Sequence, residues 1–214
     1  MMKFQDRENT LILGGFLGAV ALIAALALAL VSRWTSGPIR TAQERNRDKI
    51  YKRLLLPEFD RAGEAEELDG CSFLAVSSDG KEVGFIGQGS SRAGYGGEIE
   101  ALVGFDRTGR ITAVQILRHK ETPGLGANVC ERKFQRTIFN LKADAPDVPE
   151  NRMLDQYAGL PAEHSGSWKI SKDGGSFEYR TGATVTSRAV TALVDEISGK
   201  FVRWKARRRE EGKR

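Results

Sequence analysis

The sequence is poor in cysteine and histidine, with only Cys71, Cys130, His119 and His164 among its 214 residues. Two cysteines cannot build a cysteine-rich zinc site or hold an iron–sulfur cluster within this chain alone. No Ser or Cys nucleophile motif accompanies the histidines, and no His, Asp and Glu spacing is typical of a metal site, so hydrolytic and metal chemistry are not expected. The two cysteines could pair in an oxidising compartment or remain as buried free thiols.

Charge is abundant but unevenly placed. The chain is 40% hydrophobic and 29% charged, a globular composition, and its length allows one domain with an appendage or two small domains. The net charge of +5 arises largely from residues 205–214, which we interpret as a solvated basic tail or a contact for anionic lipid or an acidic partner. Without a basic face interleaved with aromatics, no nucleic-acid partner is expected.

Charged residues are absent from one long stretch, residues 11–31. At ~1.5 Å per residue a helix over this span is about 31 Å long, enough to cross a bilayer core. A cleavable signal peptide normally has a shorter apolar region, and Arg33 and Trp34 suit an interfacial anchor. We therefore expect a short flank at 1–10 and a transmembrane helix at 11–31, in which Gly14 and Gly18 would permit close approach of another helix. The charge distribution leaves the orientation open.

The segment 32–70 is predicted to be a stalk with an amphipathic helix, in which Ile50, Leu54 and Leu55 share a face and Pro57 ends the helix. From Cys71 onward the pattern changes to short strands separated by turn residues. The predicted strands pair as two hairpins, which favours an antiparallel sheet. They are residues 72–77 with 82–87, and residues 99–105 with 111–117.

Two helices are predicted after the strands. Residues 131–141 could form a short helix, and residues 142–166 are predicted to be mostly loop. The clearest helix begins near Thr186 or Ser187, because six apolar residues fall on one face. They are Val190, Leu193, Val194, Ile197, Phe201 and Trp204. The fold class is therefore α+β, with the soluble domain at residues 71–204.

The segment Thr181–Ser187 lies where a loop meets this last helix. Its hydroxyls could simply cap the helix, and Gly182 could permit a tight turn. The same position also suits a phosphate, because free backbone N–H groups and the positive end of the helix dipole favour an anion there. A hydroxyl at this position could also carry a phosphate ester.

A second loop, His119–Gly126, follows a predicted strand. Pro123 and Gly124 are typical of a rigid turn, but a turn alone does not explain why Leu125 lies between two glycines. Such a loop can place backbone N–H groups and an apolar side chain against a flat ring. Residues 94–97 and 172–175 form two further glycine-rich loops, each a weak signal individually.

Together these segments resemble a known family. The strings GYGGEIEALVGFD, HKETPGLG, KDGGSFEYR and TGATVTSRAV occur in the order found in the G subunit of the Rnf electron-transport complex. They are also similar to the C subunit of the Na⁺-translocating NADH:quinone reductase and to related FMN-binding domains. The similarity covers roughly residues 94–204, and the N-terminal apolar segment is also as the family has it.

The resemblance implies a cofactor and its site. In this family a flavin transferase moves FMN from FAD onto the last threonine of the motif, which corresponds to Thr186 here. Eleven further residues correspond to the flavin loops: Glu121, Thr122, Pro123, Gly124, Leu125, Gly126, Thr181, Gly182, Ala183, Thr184 and Val185. The family usually has Asp three residues before the motif, where this chain has Glu178, which keeps the carboxylate but changes its reach.

The resemblance also implies a setting. The chain is expected to be an electron carrier without substrate turnover of its own, in a bacterial cytoplasmic membrane, with the FMN domain on the outer face. Its expected partners are the other subunits of an ion-translocating complex, the flavin transferase and membrane lipid. His119 and Lys172 could tune the flavin or be structural. The alternatives are the equivalent subunit of the Na⁺-translocating quinone reductase and a flavin-free tethered scaffold or sensor.

Overall fold

The computed structural model describes residues 14–29, 50–51, 61–133 and 149–211, in two units divided after Lys49. In the first unit, residues 14–29 form helix α1, whose side chains are exposed. None of the helices in the described ranges is both long and apolar enough to span a membrane. Residues 11–13 and 30–31 of the predicted span lie outside the described residues, as do Leu54, Leu55 and Pro57 of the predicted stalk helix.

The second unit is built on an antiparallel sheet of six strands, in the order β1-β3-β4-β5-β6 with β2 also paired to β3. The strands are β1 Arg61–Ala62, β2 Glu66–Leu68, β3 Cys71–Ser78, β4 Lys81–Gly94, β5 Gly97–Asp106 and β6 Ile111–Arg118. The antiparallel sheet and both predicted hairpins are confirmed. β1 and β2 lie within the segment predicted to be a stalk, and β4 continues seven residues beyond the predicted strand end at Gly87.

The β3–β4 hairpin turns at Asp79 and Gly80, whose φ angles of 50° and 73° are both positive. This backbone is that of a two-residue type I′ turn, for which an Asp-Gly pair is favoured because both central residues need φ above zero. The β4–β5 hairpin follows, and its strands of 14 and 10 residues are both longer than β3. It carries Tyr95 and Gly96 at its tip, between the paired residues Gly94 and Gly97.

Within the described part of the second unit, helices and two 3-10 turns accompany the sheet. They are α2 Ala127–Cys130, α3 Arg152–Asp155, 3-10 turns at Ala162–His164 and Ser171–Asp173, and α4 Thr184–Glu211. α4 begins two residues before Thr186, the earlier of the two predicted starts. It continues to Glu211, within the segment that was predicted to be a basic tail. Near its end, Arg208 pairs with Glu82 at 2.7 Å, which ties this part of the helix to the sheet.

The short helix predicted at 131–141 is wrong over residues 131–133, which are not helical, and residues 134–141 lie outside the described ranges. The short helix α2 lies just before this segment, and Glu131 has an extended backbone. Asn151 explains the early end, because its side-chain amide donates to the carbonyls of Val129 at 3.2 Å and Glu131 at 2.8 Å. These carbonyls therefore have a partner without continuation of the helix.

α4 packs across one face of the sheet and brings its N-terminus to the end of the sheet that carries the β4–β5 hairpin. All six apolar residues of the predicted helix face are buried, which confirms that prediction. A Cβ at Gly87 would lie 2.8 Å from Ile197, so glycine on β4 is needed for the helix to approach this closely. Leu74, Ile86 and Leu102 point to the opposite face, where Tyr51 helps to cover them.

Candidate functional site

The residues that follow β6 form a compact turn. The N–H groups of Leu125 and Ala127 both donate to the carbonyl of Thr122, at 3.2 and 3.1 Å. Asn128 fastens the other side by donating from its side chain to the carbonyl of Gly124 at 2.6 Å. Gly124 adopts a φ of +79°, which favours glycine. The turn presents the side chain of Leu125 to solvent, where it is 48% exposed.

The first turn of α4 lies opposite this loop. Gly182 has a φ of +83° in the turn before the helix. The Ser187 hydroxyl accepts from the N–H of Arg180 at 3.1 Å and donates to the carbonyl of Ala183 at 3.0 Å. Ser187 therefore ties the incoming chain to the helix, which is a structural role. This leaves Thr186, one residue earlier, on a different side of the helix.

Thr186 and Glu121 form the centre of the site. Thr186 is 1% exposed, and its hydroxyl donates to Oε2 of Glu121 at 2.7 Å. Glu121 is 6% exposed, and its other oxygen accepts from the N–H of Gly96 at the tip of the β4–β5 hairpin, at 3.1 Å. One buried carboxylate thus connects three segments: the loop after β6, the hairpin tip and the start of α4.

Glycine makes room for this pair. A Cβ at Gly126 would clash with Oε2 of Glu121 and lie 2.7 Å from Oγ1 of Thr186. A Cβ at Gly94 would lie 2.7 Å from Oε1 of the same carboxylate. A side chain at either position would displace the carboxylate or the hydroxyl. The hydrogen bond between Glu121 and Thr186 therefore requires glycine at both positions.

A cavity of about 480 Å³ opens above the pair. Nine of the residues expected from the sequence line it: Glu121, Thr122, Leu125, Gly126, Gly182, Ala183, Thr184, Val185 and Thr186. The structure thus brings together two segments that lie about sixty residues apart in sequence. Pro123 and Gly124 lie in the exposed turn and do not line the cavity.

Tyr95 also lines this cavity, and the sequence did not single it out as a site residue. It is 74% exposed at the hairpin tip. Among the described residues from Ile50 onward, the exposed large apolar side chains are Tyr95, Leu125 and Val185, and all three line this cavity. The signal available in the sequence was an aromatic residue enclosed by glycines, in the glycine-rich loop at residues 94–97.

Thr181 lies in a second, more polar cavity of about 600 Å³, together with Glu178 and Arg180. Glu178 pairs with Arg152 at 2.6 Å, and its N–H donates to the side chain of Gln156 at 2.7 Å. The carboxylate that replaces the family's usual Asp is therefore held on the surface beside the Thr186 cavity rather than inside it.

His119 and Lys172 do not line the Thr186 cavity. His119 supports the loop instead, because its Nδ1 accepts from the N–H of Glu121 at 3.2 Å while its Nε2 lies 3.2 Å from Glu131. Lys172 lies over the ring of Tyr179, 5.9 Å from its centroid. Structural roles account for the contacts of both residues.

The cysteines are free and buried. Burial raises the pKa of the Cys130 thiol to about 12, and the carboxylates of Glu121 and Glu131 contribute to this rise. Burial also raises the pKa of Cys71. Both side chains are therefore protonated thiols at neutral pH, and a thiolate nucleophile is not available beneath the site. Within the described ranges, no cluster of His, Cys, Asp and Glu could hold a metal ion.

Comparison with known proteins places this site in a family. The model of the FMN-binding domain matches residues 94–198, a range that contains Tyr95, the loop after β6 and the start of α4. The G subunit of the ion-translocating oxidoreductase complex of Cereibacter sphaeroides is 30% identical over 200 residues, covering 88% of this chain and 82% of the relative. The corresponding protein of Pseudomonas aeruginosa is 31% identical over 199 residues, covering 87% and 84%.

The corresponding protein of Aliivibrio fischeri is 33% identical over 155 residues, which is 71% of this chain but only 64% of the relative. The chain thus spans less than two thirds of the length of that relative. The longer alignments nevertheless cover most of both proteins. The chain belongs to the family of ion-translocating oxidoreductase complex G subunits and carries that family's FMN-binding domain.

Proposed function

We propose that the chain is the electron-carrying subunit of an Rnf-type ion-translocating oxidoreductase complex, with FMN joined through its phosphate to the hydroxyl of Thr186. The observation that carries this proposal is a hydroxyl in the first turn of a 28-residue helix, at the base of a cavity with an apolar rim. Family membership supports the same cofactor, because the FMN-binding domain model covers every segment that lines this cavity.

The start of α4 suits the phosphate. The first N–H groups of a helix have no partner within the helix, and the helix dipole makes this end partly positive. Thr186 is the third residue of α4, so a phosphodiester on its Oγ1 would lie within the first turn. A diester keeps one negative charge, which this end of the helix stabilises.

The rest of the cavity suits the ring. Its volume of about 480 Å³ falls in the range of small-molecule sites, roughly 300 to 1,000 Å³. Tyr95, Leu125 and Val185 offer exposed apolar surface around the opening, which the isoalloxazine ring would cover. Glycine at position 126 keeps the base of the cavity open next to the attachment atom.

FMN supplies the electron chemistry, because it can hold one or two electrons and so connect carriers of different capacity. The chain contributes by holding the flavin in position. A covalent bond to Thr186 would prevent loss of the cofactor, and the exposed rim would leave one edge of the ring open to a partner carrier. The Tyr95 side chain, on the β4–β5 hairpin, would define the face of the ring opposite α4.

The setting is part of the proposal. Residues 11–31 carry no charge, and we propose that they anchor the chain in the cytoplasmic membrane and contact lipid there. The FMN domain would then lie on the outer face, the topology implied by the family resemblance. Its partners would be the other subunits of the complex, and a flavin transferase would load Thr186 from FAD.

Coexpression with a flavin transferase tests the attachment. We expect the full chain to give a band that fluoresces under ultraviolet light after denaturing electrophoresis, and Thr186→Ala to give none. Thr184→Ala is the matched control, because Thr184 lies in the same helical turn and lines the same cavity, whereas the bond to Glu121 comes from Thr186. Fluorescence in Thr186→Ala together with its loss in Thr184→Ala would move the attachment to the other threonine.

The same experiment separates the alternatives. A flavin-free scaffold or sensor predicts no fluorescent band in the unmodified sequence, even with the transferase present. The equivalent subunit of a Na⁺-translocating quinone reductase predicts the band but different neighbours. Purification of the full chain from membranes, followed by identification of the copurifying subunits by mass, distinguishes that subunit from the Rnf type. The relatives named above favour the Rnf type.

Tyr95→Ala tests the proposed position of the ring. We expect this variant to keep the covalent band, since the hydroxyl of Thr186 bonds to Glu121 rather than to Tyr95, but to change the flavin absorption spectrum and its fluorescence yield. Tyr179→Ala is the control, because Tyr179 lines the neighbouring polar cavity. Identical spectra for the wild type and Tyr95→Ala would place the ring away from the hairpin.

A further inference from the structure

We propose that Glu121 is the general base for flavin attachment, accepting the proton of the Thr186 hydroxyl as the phosphoester forms. This inference rests on the proposed function, since it concerns how Thr186 is modified. It assigns a chemical role to a residue that the sequence marks only as part of a loop. The role follows from the position of the carboxylate, its lack of a cation and its packing.

The position is that of a base. Oε2 of Glu121 lies 2.7 Å from Oγ1 of Thr186 and accepts its hydrogen. A general base must lie within about 2.6 to 3.2 Å of the group it deprotonates, so the pair meets the distance requirement without rearrangement. Thr186 is buried, and among the described residues Glu121 is the one side chain that accepts from its hydroxyl.

The carboxylate has no cation to neutralise it. Among the residues that the structure describes, no Lys, Arg or His forms an ion pair with Glu121. Its hydrogen bonds come from a hydroxyl and from the backbone N–H of Gly96. Burial of a carboxylate without a cation carries a desolvation penalty. A neutral hydrogen-bonding side chain could join the loop to the helix with a smaller penalty, so a purely structural role does not explain a carboxylate at this position.

The packing fixes the carboxylate. Oε1 lies against Gly94 and Oε2 against Gly126, at positions where any Cβ would collide with the carboxylate or approach it within 2.7 Å. The backbone N–H of Glu121 donates to His119, which itself lies against Glu131. The oxygen that faces Thr186 is therefore held in one place before the transferase arrives, as a base in a preorganised site requires.

The chemistry needs such a group, because a threonine hydroxyl is a weak nucleophile until a base removes its proton. Oγ1 of Thr186 bonds to the flavin-side phosphorus of FAD, and the bond from that phosphorus to the bridging oxygen of the pyrophosphate breaks. AMP leaves with that oxygen and its electron pair, and the hydroxyl proton passes to Oε2 of Glu121. No electron is gained or lost, FAD is the only other reactant, and the flavin transferase acts as the catalyst.

The proton transfer also resolves a conflict of charge. Once Thr186 is esterified, its oxygen can no longer donate to Glu121, and a negative phosphodiester lies beside the carboxylate. Two adjacent negative charges at a buried site disfavour each other. Once Glu121 has accepted the proton it is neutral. The negative phosphodiester therefore forms beside an uncharged carboxylic acid rather than beside a carboxylate.

The test measures the rate of attachment. Purified, unmodified full chain is mixed with transferase and FAD, and the gain in intact mass is followed in time. We expect Glu121→Gln to slow attachment at least 100-fold, the lower part of the usual range for general bases, roughly 10²- to 10⁴-fold. Glu121→Asp should recover part of the rate. Glu163→Gln is the control, because Glu163 is an exposed glutamate in the 3-10 turn Ala162–His164 and does not line the Thr186 cavity, and it should retain the wild-type rate.

The pH dependence distinguishes a base from a structural tie. Only the carboxylate form accepts a proton, so the ratio of the wild-type rate to the Glu121→Gln rate should fall as the solution becomes more acidic. Taking this ratio cancels the titration of the transferase. The titratable groups around Glu121 are His119 at its N–H, Cys130 on α2, Glu131 behind His119 and Tyr95 on the hairpin, and all are retained in both proteins.

The outcomes are separable. Glu121→Gln modified at the wild-type rate would overturn the role of Glu121 while leaving the proposed function intact. Faster attachment in Glu121→Gln would also overturn it, and would show that Glu121 holds the hydroxyl away from the transferase. A wild-type chain that gains no mass would instead contradict the proposed function itself. Melting temperatures of the unmodified variants exclude misfolding as the cause of a slow rate.

Discussion

Replacement of Gly126 by alanine is the sharpest test of the geometry around Thr186. The added Cβ would clash with Oε2 of Glu121 and lie 2.7 Å from Oγ1 of Thr186, inside normal carbon–oxygen contact. Gly126 is itself buried between the loop and α4, so the methyl group has no open direction. We expect the carboxylate and the hydroxyl to separate.

The magnitude follows from two costs. Loss of a hydrogen bond to a charged group costs about 1.5–3 kcal/mol, and overpacking a buried position costs about 1–3 kcal/mol. These overlap, so we expect Gly126→Ala to lower the free energy of unfolding by about 3 kcal/mol. For a domain of this size, that corresponds to a melting temperature lower by roughly 6–12 °C.

Gly124→Ala is the control within the same loop. A Cβ at Gly124 would meet nothing within 4 Å, so its only cost is the positive φ of 79°. Strain of that kind costs roughly 1–2 kcal/mol. Gly124→Ala should therefore be less destabilising than Gly126→Ala and should still accept flavin, whereas Gly126→Ala should accept it slowly or not at all.

The assay is a double-mutant cycle. Denaturant unfolding of Gly126→Ala, Glu121→Ala and the double variant gives the coupling between the two sites. Glu121→Ala removes the closest of these contacts, the one with Oε2, while the contact with Oγ1 of Thr186 remains. Gly126→Ala should therefore cost less in that background, by about 1 kcal/mol or more. Purely additive effects, or a Gly126→Ala protein as stable as Gly124→Ala, would refute the geometry described for this pair.

Three further predictions concern the rest of the domain. Phe201→Ala should lower the free energy of unfolding by about 3–5 kcal/mol in a denaturant titration, because its buried ring stacks on Phe105 with centroids 3.9 Å apart; a loss below about 1 kcal/mol would contradict this packing. Cys71 and Cys130 should react with a thiol reagent only after denaturation, and rapid reaction in the native state would show that they are not buried thiols. Partial burial opposes ionisation of Asp106, but hydrogen bonds at its turn outweigh this and lower its pKa, so its contribution to stability is present above the unfolded pKa and lost as pH falls through the folded pKa. Wild type and Asp106→Asn should therefore converge in stability under acid conditions, and a constant difference at all pH values would contradict this.

The sequence predicted those parts of the fold that are specified by local patterns. The face of α4 was correct because its apolar residues repeat every three or four positions over several turns, and burial against the sheet follows from that repeat. The β3–β4 hairpin was correct because an Asp-Gly pair specifies its turn. In both cases the information lies within about twenty consecutive residues.

Two of the parts that were missed depend on distant residues. β1 is two residues long and is stabilised by pairing with β3, so no local pattern marks it. β2 was missed although a local signal was present, because Asp69 and Gly70 form an Asp-Gly turn between β2 and β3 with positive φ angles of 49° and 78°. α2 ends at Cys130 because the side chain of Asn151 bonds to its carbonyls from more than twenty residues away. The predicted helix is therefore wrong at residues 131–133, and the rest of that prediction lies outside the described residues.

The candidate site also combines features that local motifs predict with features that depend on distant residues. The loop after β6 and the start of α4 were found from their motifs, and the structure joins them. The bond between Glu121 and Thr186 spans 65 residues, so only the folded sheet brings its atoms together. Tyr95 was missed because an aromatic residue among glycines indicates a turn, whereas its place beside the cavity depends on β4 continuing to Gly94.

The attachment of flavin to Thr186 is tested most directly by peptide mass mapping of the full chain, isolated after coexpression with a flavin transferase. We predict one peptide, carrying the segment from Thr181 to Arg188, heavier by an esterified FMN, with fragmentation that assigns the added mass to Thr186. Recovery of that peptide only at its unmodified mass, or of the flavin on another residue, would contradict the function proposed for this site.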